Sequence, residues 1–426
     1  MEQATTPHLW HSAPYSTHPS TLNSPPAPLK GPQSIPRDHY DVIIIGGGAA
    51  GLFCAARAAE GGRSVLVLDH ANKVGKKILM SGGGRCNFTH LQASPANFRS
   101  ANPHFCRSAL ARFSPYEFLA RVEAAGIPWV EKTEGQLFCR DSAKDLLAML
   151  LRDCAQAGVD IAVESPITQV QLGQPFVLHS QNRRLSADKL VVATGGLSIP
   201  KMGATGFGYD LARQAGHTLL PTRAGLVPLT LSGRPAEDFE GLAGVSTPVI
   251  VSTPDAAYKE ALLITHRGLS GPAILQLSSH WALGSPIQIN WLPGVSEEEL
   301  LQAKKTEPKL HLERWLGRSL PDRLAQRLCA LSAGDAPLHQ LRDATLRERL
   351  HRWQHWTVQP SGTEGYRTAE VTEGGVCTQT ISSRSFESQL QPGLHFIGEV
   401  LDVTGELGGY NFQWAWASAA ACAEAL

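Results

Sequence analysis

The sequence predicts an α/β fold organised on a buried parallel sheet, and three stretches carry that prediction. Val42 to Ile45 and Leu190 to Val192 are short apolar runs, the pattern of strands covered on both faces, and Leu394 to Ile397 reads as a third strand with His395 within it. Each ends in small residues: Gly46 to Gly51, Ala193 to Gly196, and Gly398 before Glu399. Alanine-rich helical sequence follows the first of these turns and closes the chain after Gly409.

The first unit is the most specific. Gly46, Gly48 and Gly51 form a G-x-G-x-x-G pattern with Ala49 and Ala50 between them. Gly46 permits the tight turn, Gly48 lets the backbone approach a pyrophosphate, and Gly51 lets helix and strand pack closely. Phosphate charge then meets the helix N-terminus. Val65 to Leu68 read as the second strand, closed by Asp69, 23 positions after Gly46 and followed by His70. A carboxylate there accepts from an unphosphorylated adenosine ribose, so the unit reads as an FAD or NAD site.

Composition limits the alternatives. At 426 residues two or three domains are expected, and 42% hydrophobic with 18% charged residues describes a globular chain. Thirty-eight basic and thirty-eight acidic residues cancel, so no whole-protein field recommends nucleic acid or anionic membrane. The eight cysteines lack C-x-x-C or zinc-type spacing, which predicts reduced thiols and no metal site. No apolar run is long enough to span a membrane or to serve as a signal-peptide core, and a cytoplasmic protein is expected.

In chain order, residues 1–37 are rich in Pro, Ser, Thr and His and read as a flexible tail. Residues 38–222 form the first part of the dinucleotide domain. Past Asp69, Lys76 and Lys77 precede a second glycine cluster, Ser81, Gly82, Gly83, Gly84, Arg85, Cys86 and Asn87. Such a loop exposes backbone N–H groups to phosphate or flavin oxygens, while its cations balance charge. Helical periodicity covers 107–125 and 142–157, and Ile161 to Leu178 suggest a β-meander. Ala193, Thr194, Gly195 and Gly196 bring the next strand back to the cofactor, which favours FAD over NAD.

From Arg223 to about 295 short β-branched runs alternate with turns, the pattern of an inserted small β-barrel or sandwich. A polar loop, Thr265 to Pro272 with His266, interrupts it. Residues 296–362 read as helical, with a modest basic excess and Trp315, Trp353 and Trp356. A solvated helix face or an RNA-facing surface would both account for that excess. Residues 363–385 return through the β-layer, and 386–426 complete the dinucleotide domain. There, Gly398, Glu399 and Asp402 deliver acids to the ribityl hydroxyls, and Gly409, Tyr410, Asn411, Phe412 and Gln413 start a helix facing the flavin pyrimidine edge.

With these motifs in place, the chain resembles the BaiN/RdsA (YhiN-like) family of FAD-dependent oxidoreductases, within the glutathione-reductase-like group. KKILMSGGGRCNFTH, ITHRGLSGPAIL, AEVTEGGVCTQTI, SFESQ and FIGEVLDVTGELGGYNFQWAWAS carry the resemblance. It implies a Rossmann-type FAD domain interrupted by a β-barrel and a helical domain, and NAD(P)H as a transient electron donor. It also implies reduction of an activated C=C bond, in a ribosomal RNA uridine or in a small-molecule enone. Hydride would pass to the electron-poor carbon and a protein acid would protonate its neighbour. Cys86, His266 and Tyr410 are the candidate acids. The competing class is an RNA-binding or assembly protein that keeps FAD structurally and contacts ribosomal RNA through the helices. Oligomeric state does not follow from the residues.

Overall fold

The computed structural model of the chain describes residues 35–133, 135–181 and 183–426. The expected flexible tail lies outside the described residues except at its last three positions.

The main sheet runs in the order Asp160–Ala162, Val65–Leu68, His39–Ile45 and Arg183–Val192. All these pairings are parallel. Arg183–Val192 then divides its partners. Its last residues pair in parallel with Leu394–Phe396, while its first half pairs antiparallel with Phe176–Ser180, the middle of a meander completed by Ile167–Gln171. One long strand thus carries the cofactor-side turn at one end and the meander at the other. Val42, Ile43 and Ile44 are fully buried, as a strand covered on both faces requires. Ala49–Glu60 covers one face and packs on the terminal helix Tyr410–Ala423. Small side chains permit that close approach, and the larger rings Phe53, Phe118 and Trp416 fill the flank, with Phe118 stacked on Trp416 at 4.2 Å.

The helix expected over 107–125 is two helices, Arg107–Arg112 and Pro115–Ala124. Ser114 caps the second through a reciprocal bond with Glu117, and Pro115 stands at its first position, where it cannot continue the preceding helix.

The chain leaves the main sheet through Leu219–Gly225 and returns through Val371–Val376, and these two passages pair antiparallel to form a neck. Beyond it, seven strands pair antiparallel in the order Trp356–Val358, Ile287–Asn290, Ser246–Thr253, Ala256–Thr265, Gly268–Ser270, Leu229–Thr230 and Gly362–Thr363. The two end strands are separated in sequence by residues 359–361, a link that reaches at most about 14 Å. Seven flat strands would set those ends roughly 29 Å apart. The sheet therefore curls on itself, as the inserted β-barrel reading expects.

Helices Glu297–Thr306, Leu312–Leu316, Asp322–Ala330 and Asp343–Gln354 close over this sheet, and one contiguous core joins them, from Leu229 to Val358. Here the structure accounts for the aromatic part of the RNA-facing alternative for the helices. Trp315, Trp353 and Trp356 all belong to that core. Lys304, Arg318 and Arg347 pair with Asp343, Glu307 and Glu297, and Arg323, Arg327 and Arg349 donate to backbone carbonyls. Packing thus explains the tryptophans and local pairing part of the basic excess, while Lys305, Lys309, Arg314, Arg342 and Arg352 remain exposed. Among the described residues no helix is long and apolar enough to cross a membrane.

Candidate active site

A cavity of about 1160 Å³ opens between the parallel sheet and the neck. The turns after three strands meet on its wall: Gly46 to Ala50, Ala193 to Gly196, and Ile397 to Glu399. Carboxyl ends of parallel strands leave such a crevice because each connecting helix departs to one face or the other.

Two helices aim their N-termini into it. Ala49–Glu60 begins at Gly48 and Tyr410–Ala423 at Gly409; neither has a side-chain cap nor an acid in its first turn. Their first N–H groups are therefore left for a ligand, and each end carries a partial positive charge. A Cβ on Gly48 would meet nothing within 4 Å, so the backbone there is open to a bulky anion. A Cβ on Gly51 would lie 1.9 Å from the Gly46 carbonyl oxygen, which is the close helix–strand packing expected of that position. An elongated ligand with a central diphosphate and an electron-accepting ring at one end fits this arrangement, as FAD requires.

Most of the site residues expected from sequence come together on this wall. Gly46, Gly48, Ala49, Ala50, Asp69, His70, Lys76, Lys77, Ser81, Gly82, Gly83, Asn87, Ala193, Thr194, Gly195, Gly196, Gly398, Glu399, Gly409, Tyr410, Asn411 and Phe412 all line it. Asp69 also holds the turn: its two oxygens accept from the N–H groups of Gly47 (2.9 Å) and Ala71 (2.8 Å). Each oxygen keeps a further lone pair for a ribose hydroxyl.

The second glycine cluster is a short helical turn from Lys76 that breaks at Ser81, after which Gly82, Gly83 and Gly84 take positive φ. Lys77 crosses the cavity to Glu399 (2.9 Å) and Ser198 Oγ (2.6 Å). Glu399 also accepts from Ser198 Oγ (3.1 Å) and the Thr372 N–H (2.9 Å). One carboxylate thus ties together the glycine loop, the Ala193 to Ser198 turn, the neck and the last strand.

Other expected residues lie off the wall. Cys86 is fully buried under the glycine cluster, and burial pushes its thiol well above the ordinary range, so it meets no substrate. His266 is exposed in the turn between Ala256–Thr265 and Gly268–Ser270, away from the cavity. Asp402 is buried and accepts from the Ala101 N–H (2.7 Å), so it organises the 100–102 loop instead of a ribityl chain. Gln413 is buried between Thr89 Oγ1 (2.7 Å) and the Phe113 carbonyl (2.8 Å). One helical turn carries it past the open N-terminus. Arg85 is exposed beyond the rim.

Of the three candidate acids, only Tyr410 faces the cavity. Its ring stacks on His90 at 4.3 Å, and burial pushes its phenol up to about 12. Sequence reasoning missed His90, Gln276, Glu370 and Glu406, which also line the cavity. His90, Glu370 and Glu406 lie in stretches that carry the family resemblance, but no spacing rule assigns them a role. Gln276 meets the site only through the fold, where its Oε1 accepts from the Leu407 N–H (2.9 Å).

Comparison with known proteins places this geometry. The model of the HI0933-like protein Rossmann domain matches residues 40–425. The chain is 50% identical over 393 residues to the ribosomal RNA dihydrouridine synthase of Escherichia coli (strain K12), covering 91% of this chain and 98% of that protein. It is 48% identical over 393 residues to the protein of the same name from Haemophilus influenzae, covering 89% and 97%. It is 31% identical over 396 residues to the 3-dehydro-bile acid delta(4,6)-reductase of Clostridium scindens, covering 88% and 96%.

Proposed function

The chain belongs to the HI0933-like Rossmann family and is a flavin-dependent oxidoreductase, and on that premise we propose that it reduces an activated C=C bond with electrons from NAD(P)H. Its substrate on this reading is a uridine of ribosomal RNA, and its product is dihydrouridine. The convergence of two uncapped helix N-termini on one cavity is the observation that carries the reading. The identity with the two ribosomal RNA dihydrouridine synthases supports the choice of uridine over a steroid-like enone.

FAD supplies reversible two-electron chemistry, and the chain's residues bind and orient it. Gly46 to Ala50 would receive the diphosphate on the first helix, and Asp69 would accept from the ribose. The N-terminus of Tyr410–Ala423 would stabilise negative charge on the pyrimidine edge of the reduced ring. Lys77, held by Glu399 and Ser198, brings a fixed positive charge to the same wall. The part of the wall formed by Leu226, Gln276 and Leu407 would meet the acceptor base.

Dihydrouridine in ribosomal RNA tests the reading. Cells lacking the gene lose one modified position, and purified protein restores it to their RNA in the presence of NADH or NADPH. Unchanged dihydrouridine in the deletion strain would sink the uridine assignment.

A further inference from the structure

Glu370 stands where the returning strand of the neck re-enters the dinucleotide domain. Its N–H donates to the Leu226 carbonyl (3.2 Å) and its own carbonyl accepts from Ser198 Oγ (3.3 Å), so its backbone is fixed beside the Lys77–Glu399 pair. Its side chain lines the cavity. Water reaches it through the open space, yet protein atoms crowd around it, and that burial raises the carboxyl pKa with no charged group contributing. Among the described residues, no hydrogen bond or ion pair is formed by its carboxyl. Three other carboxylates on the wall are occupied: Asp69 by backbone N–H groups, Glu399 by Lys77, Ser198 and Thr372, and Glu406 by Asn97. Glu260, on the inserted strand Ala256–Thr265, also lines the cavity, and among the described residues its carboxyl forms no hydrogen bond or ion pair either, so it is the comparison for Glu370. An unpartnered acid on the cavity wall, at the seam between a cofactor domain and an inserted domain, is placed to meet a substrate held in that cavity.

We propose that Glu370 is the proton donor of the C=C reduction. This rests on the reductase reading above. The β carbon of the acceptor receives hydride, with both its electrons, from the reduced flavin. The former π pair moves toward the α carbon, which forms its new C–H bond with the Glu370 proton. The flavin is left oxidised, the C=C bond is left saturated, and the carboxylate regains a proton from water. Tyr410 is less free to do this, since its ring is clamped by His90 and it lies edge-on to Phe98 at 6.2 Å.

The test uses FAD-loaded wild type, Glu370→Gln, Glu370→Asp and Glu260→Gln, reduced anaerobically with dithionite. Each is mixed with ribosomal RNA from cells lacking the gene, or with 2-cyclohexen-1-one, and flavin reoxidation is followed. Glu370→Gln should keep its FAD, accept electrons from dithionite normally and reoxidise roughly 10²–10⁴-fold more slowly. Glu370→Asp, which keeps an acid, should recover part of the rate. A merely structural role would alter FAD retention and reoxidation together. Wild-type reoxidation in Glu370→Gln overturns the proposal, as does a loss that follows Glu260→Gln instead. A wild type that neither acceptor reoxidises overturns the C=C reading and the role of Glu370 with it, an outcome visible before any variant is compared.

Discussion

Alanine at Gly48 and at Gly51 should produce opposite failures, although the two glycines are three residues apart. Gly48 has φ −84° and ψ −167°, an extended conformation that alanine adopts freely, and its Cβ would meet no protein atom within 4 Å. Gly48→Ala should therefore leave the FAD-free protein as stable as wild type, or more stable by about 0.4–1 kcal/mol through the unfolded chain. The added methyl occupies the space into which the first helix directs its free N–H groups. Displacing the diphosphate there loses one or two charge-assisted hydrogen bonds at about 1.5–3 kcal/mol each, roughly a hundredfold in FAD affinity. Gly51→Ala meets the Gly46 carbonyl oxygen at 1.9 Å and Ala193 Cβ at 3.3 Å. The nearest obstacle is strand backbone, so the helix must retreat by more than about 1 Å, at a cost of about 3 kcal/mol or more. Urea unfolding of the FAD-free proteins and fluorescence titration with FAD separate the two effects. Wild-type FAD affinity in Gly48→Ala, or an unshifted urea midpoint in Gly51→Ala, would refute this account of the turn.

Three further outcomes follow from named contacts. Glu399→Ala strands Lys77, Ser198 Oγ and the Thr372 N–H, and should lower unfolding free energy by about 2–3 kcal/mol in urea titrations; a change below about 0.5 kcal/mol would contradict the four-way tie. Burial lowers the pKa of His395 to about 4, below its unfolded value of about 6.5. Between those values the unfolded chain binds the extra proton, so this contribution is complete above about pH 6.5 and is lost as pH falls toward 4. It amounts to roughly 3 kcal/mol, and His395→Leu should flatten the slope of stability against pH in that window. Trp353→Ala should cost about 3–5 kcal/mol in thermal or urea unfolding, because the indole is fully buried and bonds Ser332 Oγ (3.0 Å). Unchanged stability with weakened RNA binding would place that indole on an RNA-facing surface instead.

The parts of the site legible in sequence are those built from backbone. Gly46, Gly48 and Gly51 announce a tight turn that leaves its backbone open and its helix close to the strand, and the runs before Ala193 and Gly398 announce strands that end beside it. Side-chain roles were harder to read. Asp402 follows a strand as an acid reaching the cofactor would, yet it turns away to the Ala101 N–H. Cys86 sits in a polar, glycine-rich loop that suits either a substrate-facing acid or a buried loop residue, and the positive-φ run folds it beneath the loop. The tryptophans of the helices carry no local sign of which face they occupy, and the inserted sheet claims them.

The sequence by itself determined the α/β class, the diphosphate turn and the places where the strands return to it, because each depends on contacts within a few residues or on strict periodicity. Only the tertiary structure decided which acids face the cavity. Lys77 meets Glu399 across 322 positions of sequence, and Glu370 enters the wall only because Leu219–Gly225 and Val371–Val376 pair as a neck. Long-range pairing brings such residues together through the summed packing of two cores, and no local pattern records that sum.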